Sequence, residues 1–113
     1  MIHADTAAHI YLVCGATDMR KGYDGLAGVV MSEVKGDPLS GHLFVFCNRT
    51  RTRIKVLAWD GSGMWVCAKR LDTGSFRWPQ DPEAARHVSS AELAMLLEGL
   101  DWHQTTSRSW FRR

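Results

Sequence analysis

Residues 49–78, RTRTRIKVLAWDGSGMWVCAKRLDTGSFRW, decide how this chain folds. Ile54, Val56 and Ala58 alternate with Arg53, Lys55 and Leu57, the two-residue period of a β-strand. Asp60-Gly61-Ser62-Gly63 supplies the residues that tolerate the dihedrals of a tight hairpin turn. Met64 to Leu71 resumes extended character, with Trp65, Val66 and Cys67 suited to a pleated surface. A two-residue loop of Gly61 and Ser62 predicts the register: Trp59 opposite Met64, Ala58 opposite Trp65, Lys55 opposite Ala68 and Arg53 opposite Arg70. Arg53, Lys55, Leu57 and Trp59 then share one face with Met64, Val66, Ala68 and Arg70. Like charges directly opposite each other destabilise a sheet, so the Arg53/Arg70 pair suggests either a charge partner or a polyanion.

Outward from the hairpin, His9 to Cys14 reads as a short strand broken by Gly15-Ala16, with Thr17 or Asp18 as a helix N-cap. Tyr23, Leu26, Ala27, Val30, Met31 and Val34 form one apolar helical stripe. Gly22, Gly25 and Gly28 weaken that helix and suggest close packing against a sheet. Residues 36–41 are a loop, and Leu43 to Phe46 is a second strand. Thr73-Gly74 makes a turn, Phe76 to Trp78 is extended, and Pro79 with Pro82 ends the sheet region. Ser89 and Glu92 have capping-box spacing, with Val88 and Leu93 as the hydrophobic staple of a helix to Leu97. Leu93, Leu96, Leu97 and Leu100 give its buried face, Gly99 its C′ position, and Trp102 packs beyond. The expected fold is α+β: a small, mainly antiparallel sheet of about four to five strands packed by two helices. Residues 1–102 are read as one domain and 103–113 as a C-terminal tail.

The 113 residues suffice for one core, and a 45% hydrophobic composition excludes a disordered tail. No apolar run approaches the roughly 20 residues that span a bilayer, so no membrane partner is expected. Residues 1–8 lack the basic and apolar regions of a signal peptide, which points to a cytoplasmic protein. Charge is uneven: residues 46–78 hold seven basic and two acidic side chains, whereas the flanking regions are slightly acidic. Such a basic patch is the electrostatic footprint of a nucleic-acid binder, or else a sheet edge protected by charge. The candidate contacts are Arg49, Arg51, Arg53, Lys55, Lys69, Arg70 and Arg77. Trp59, Trp65 and Trp78 either stack on bases or fill the core.

A second candidate is the 15–22 loop, GATDMRKG, where Arg20 and Lys21 could meet a phosphate; the alternative is a purely structural turn. It is not a Walker A loop, because no G-K-[ST] follows. Cys14, Cys47 and Cys67 are widely spaced and read as small buried hydrophobes. His3, His9, His42, His87 and His103 show no metal-binding spacing, so no metal or other cofactor is expected. Tyr11 and Tyr23 read as core aromatics. No Ser/His/Asp, Cys/His or paired-carboxylate arrangement appears, and the chain is expected not to be an enzyme.

Several blocks together resemble a known family. VCGATDMRKGYDGLA (13–27), SGHLFVF (40–46), RIKVLAWDGSGMW (53–65), KRL (69–71), GSFRWP (74–79) and LAMLLEGLDW (93–102) look like the accessory protein of the family 66 insertion sequences, the TnpB-type product of the second open reading frame. The resemblance implies a bacterial mobile-element protein encoded beside a separate, larger transposase of the acidic-triad type. It implies assistance to DNA transposition without strand-transfer catalysis, and it carries over no catalytic residues. The expected partners are the transposase, another accessory protein of the element and DNA. Residues 49–53 depart from the family's usual connection, which more often contains glycine and an acid, and make the hairpin more basic here. The expected function is therefore a non-catalytic transposition factor that binds DNA, or the transposase–DNA complex, through the basic hairpin. The alternative is a protein-interaction module that assembles the transposase complex without touching DNA, with Trp110 and Phe111 as a candidate apolar patch.

Overall fold

In a computed structural model, residues 9–80 and 82–98 are described. Expectations for Gly99, Leu100, Trp102, Trp110, Phe111, His3, His103 and the tail lie outside the described residues. The strands are β1 (Ile10–Ala16), β2 (Leu43–Cys47), β3 (Arg53–Trp59), β4 (Met64–Arg70) and β5 (Ala85–Val88); the helices are α1 (Tyr23–Val29) and α2 (Ser90–Leu97). Five strands form one sheet in the order β4-β3-β2-β1-β5. Only β1 and β2 run parallel, joined through α1; every other neighbouring pair is antiparallel.

The sheet is covered on both faces, which explains the near-continuous apolar run of β2, buried at all five positions. On one face, Ile10, Leu12, Val45, Ile54 and Val56 pack with Leu93, Met95 and Leu96 of α2. Phe76 and Trp78 join this layer, and the Trp78 indole N–H donates to the Val13 carbonyl at 2.9 Å. Residues 76–78 are thus not a strand but an extended cover over the core. On the opposite face, Val13, Phe44, Phe46 and Leu57 pack with Leu26, Val29 and Val30.

Three local expectations differ from the structure. α1 begins at Tyr23 after Gly22, not at Thr17 or Asp18, because residues 17–22 form a separate turn. Its buried side is Leu26, Val29 and Val30, while Tyr23 is 56% and Met31 55% exposed, so neither is core. The helix opens into a wider π turn at Val30–Val34, which shifts the apolar stripe away from a strict helical period. A side chain at Gly22 or Gly28 would meet open space, and one at Gly25 would meet Lys21 instead of the sheet, so these glycines serve no close helix–sheet approach. At the other helix the expected capping box is present: the Ser89 Oγ accepts from Glu92 N–H at 3.1 Å, and Glu92 Oε1 accepts from Ser89 N–H at 2.8 Å.

Candidate nucleic-acid interface

The β3–β4 register is the one the turn predicted, with Arg53 opposite Arg70, Lys55 opposite Ala68, Ala58 opposite Trp65 and Trp59 opposite Met64. The Asp60 carboxylate sets it. One oxygen accepts the Ser62 and Gly63 backbone N–H groups at 2.9 and 2.8 Å, and the other accepts the Trp65 indole N–H at 2.8 Å. These donors, the Ser62 backbone first, hold the Asp60 carboxyl well below the usual carboxylate range.

At the far end of the hairpin the same register brings cations together. A groove of about 450 Å³ is lined by Arg53, Lys55, Lys69 and Arg70, with Met19, Ile54 and Ala68 as its apolar part. The loop after β1 supplies Met19 and is tied to the hairpin, since the Lys55 ammonium donates to the Lys21 carbonyl at 2.9 Å. Lys69 lies on the α2 side of β4, where its ammonium donates to the Leu97 carbonyl at 2.5 Å. Among the described residues, no carboxylate forms an ion pair with Arg53, Lys55, Lys69 or Arg70. An arginine pair placed in register without a counter-ion fits an anionic ligand by its chemistry.

The remaining cations fall elsewhere. Arg49 is exposed in the β2–β3 turn. Arg51 is half-buried with a left-handed backbone (φ 61°). Its guanidinium donates to the carbonyls of Asn48 and Cys14 at 3.3 and 3.5 Å and lies 5.9 Å from the Trp78 ring centre. Its side chain therefore braces the core cover. Asn48 completes that turn, its Oδ1 accepting from the N–H groups of Thr52 and Arg53. Arg77 is exposed between buried Phe76 and Trp78. Arg20 is engaged by Asp18, with Nη2 2.7 Å from Oδ2, and this hydrogen bond lowers the Asp18 carboxyl to about 2. Lys21 is exposed, and its backbone carbonyl is the group that receives Lys55.

Of the tryptophans, Trp78 is buried, Trp59 is half-buried and Trp65 is 39% exposed. Of the cysteines, Cys14 and Cys47 are buried, whereas Cys67 is exposed because β4 is an edge strand. Sequence reading also missed a convergence of His9, His42 and His87 around Tyr11 at the opposite end of the sheet. His9 Nδ1 and His87 Nε2 are 3.2 Å apart. No local spacing could reveal this, since three separate segments supply the rings. Among the described residues, no group of three His, Cys, Asp or Glu side chains is arranged to hold a metal ion, and no helix is long and apolar enough to cross a membrane.

The described residues thus form a small α+β protein with a cation-lined groove at one end of the β3–β4 hairpin. The family described as IS66 Orf2 like protein matches residues 8–107, and the chain belongs to that family. It is 40% identical over 102 residues to the Sinorhizobium fredii (strain NBRC 101917 / NGR234) "Uncharacterized protein y4hO", covering 90% of this chain and 89% of that protein. It is 36% identical to "Uncharacterized protein y4jC" of the same strain, covering 90% and 87%. No solved structure matches. Membership places the chain among the accessory proteins of insertion-sequence transposition, a family without a known catalytic role.

Proposed function

We propose that this transposition accessory protein contacts DNA through the basic end of the β3–β4 hairpin, with Arg53, Lys55 and Arg70 as phosphate contacts and Lys69, on the other face of β4, adding longer-range attraction. The observation that carries this reading is the in-register Arg53/Arg70 pair, which lines a groove without an ion-paired carboxylate among the described residues. Arg49, and Arg77 beyond it, contribute longer-range attraction; Arg20 and Lys21 are secondary, Arg20 being already held by Asp18. Phosphate contacts of this kind position a protein on DNA without reading sequence. Sequence choice then belongs to the transposase, the partner expected to share the DNA.

Fluorescence anisotropy of labelled DNA across a salt series tests this. Binding should weaken steeply with salt, and the Arg53→Glu/Arg70→Glu variant should lose most of it while melting cooperatively. Wild-type protein that ignores DNA at low salt, yet is retained by the transposase, would move the function to protein assembly.

A further inference from the structure

β4 ends the sheet, and among the described residues no strand pairs with its outer edge. The hairpin's hydrogen bonds show which backbone groups that edge presents. Asp60 N–H donates to the Gly63 carbonyl at 3.0 Å, and Leu71 N–H donates to the Thr52 carbonyl at 2.9 Å. Hydrogen-bonded and non-hydrogen-bonded pairs alternate along an antiparallel ladder. Trp65, Cys67 and Lys69, opposite Ala58, Val56 and Ile54, therefore turn their backbone groups toward β3. Met64, Val66, Ala68 and Arg70 turn theirs outward. Natural sheets protect such an edge with proline, a bulge, shortness or charge. The other edge, β5, is four residues long and carries Arg86 and His87. β4 has seven residues, its register with β3 runs without a shift, and Met64 to Ala68 holds neither charge nor proline. Trp65, Cys67 and Ala68 are exposed along it.

We propose that β4 pairs antiparallel with β4 of a second copy of this chain, about a two-fold axis at Cys67, so that two sheets become one. Centring on Cys67 is the arrangement that pairs all seven residues of both strands. Val66 then lies opposite the second copy's Ala68, and both turn N–H and C=O toward the other strand. Met64 lies opposite Arg70, and Trp65 opposite Lys69, so no two cations face each other. Lys69 instead stands beside the indole whose N–H donates to Asp60 at 2.8 Å, an aromatic ring and a carboxylate in place of a like charge. The competing occupant of the edge is residues 99–113 of the same chain. These hold three arginines against one acid, and offer Lys69 and Arg70 no such complement. The inference does not rest on the DNA-binding reading.

Cys67 reads out the register. Across the axis the two Cys67 residues form a non-hydrogen-bonded pair, with Cα atoms about 4.5 Å apart, close enough for a disulfide. Cys14 and Cys47 are buried. Oxidation of the full chain with diamide should therefore link Cys67 to Cys67, as identified by mass spectrometry. In a Cys67→Ser background, Lys69→Cys should link little, because position 69 lies roughly 13 Å from its own copy along the strand. Sedimentation velocity of the wild type under reducing conditions should show a concentration-dependent dimer. Ala68→Pro removes an N–H that β3 does not use but that forms two symmetric hydrogen bonds in the dimer, and should weaken dimerisation roughly thirtyfold. Cys67→Arg, at an exposed position, sets two cations face to face and should weaken it about fivefold. Wild-type protein that stays monomeric at every soluble concentration overturns the proposal, whether residues 99–113 or another protein then covers the edge. A dimer left intact by whichever of these two variants unfolds cooperatively in urea, or equal linking at positions 67 and 69, overturns it as well.

Discussion

Arg53 and Arg70 stand directly opposite each other across β3 and β4. Among the described residues neither is ion-paired with a carboxylate. A sheet optimised for stability alone would not keep this pair, because like charges at facing positions cost roughly 0.2–1 kcal/mol. Replacing both with Gln should therefore leave folding stability unchanged or slightly raised in urea unfolding. The same variant should reduce the magnitude of the salt slope of DNA binding by about 0.7 for each phosphate no longer neutralised on single strands, or about 0.9 on duplex. A stability gain paired with weaker binding is the signature of a functional pair. A stability loss with unchanged binding would assign both arginines to structure.

Asp60 links the turn to Trp65 on β4. Its carboxylate accepts from two backbone N–H groups and from the Trp65 indole, so Asp60→Asn keeps an acceptor for the turn but presents an N–H₂ group to the indole N–H. The variant should retain the hairpin while freeing the Trp65 ring. The indole N–H of Trp65 should then exchange faster with water in NMR spectra. An unchanged indole exchange rate would mean that packing, not Asp60, holds the ring.

His42 predicts a pH response. Burial, then the positive charges of His9 and His87, lower its pKa below 6.5, against the opposing attraction of Asp37. Its Nδ1 is buried without a hydrogen-bond partner among the described residues, so protonation adds a charge where none of them offers an acceptor. A base whose folded pKa lies below its unfolded value binds more protons when unfolded. Stability is then fully present above about pH 6.5 and declines as pH falls below it. Urea midpoints measured from pH 7.5 downward should fall in the wild type, and fall less in His42→Phe, which removes the titrating ring while keeping an aromatic among Tyr11 and Phe44.

The parts of the fold that local chemistry dictates were legible in the sequence. Asp60-Gly61-Ser62-Gly63 closes a two-residue turn, and the period-2 side chains around it leave one register that buries Ile54, Val56 and Leu57. The Ser89–Glu92 spacing likewise located α2 through its capping box. β5 was not legible, because Ala85-Arg86-His87-Val88 has little strand character of its own and becomes a strand by pairing with β1. The parallel pairing of β1 with β2 depends on the helical crossover, which carries no register signal. Within the candidate site, composition gathered the cations, but only the register and the turn at Asn48 separated those that line the groove from those that brace the structure.

Arg51 tests that separation most sharply, since sequence alone places it beside Arg53 as an equal candidate. In the structure its left-handed backbone, its donation to the Asn48 and Cys14 carbonyls and its position near Trp78 give it a structural task. Arg51→Ala keeps the unfavourable backbone, which costs about 1–2 kcal/mol for a residue with a Cβ, and removes the bracing hydrogen bonds. Arg51→Gly removes the same hydrogen bonds but relieves the backbone. The alanine variant should therefore be the less stable of the two in urea unfolding, and both less stable than wild type. Measured where each variant is fully folded, the salt slope of DNA binding should match wild type, opposite to the Arg53/Arg70 variant. A slope lowered as much by Arg51→Gly as by neutralising Arg53 would return Arg51 to the DNA-contacting set.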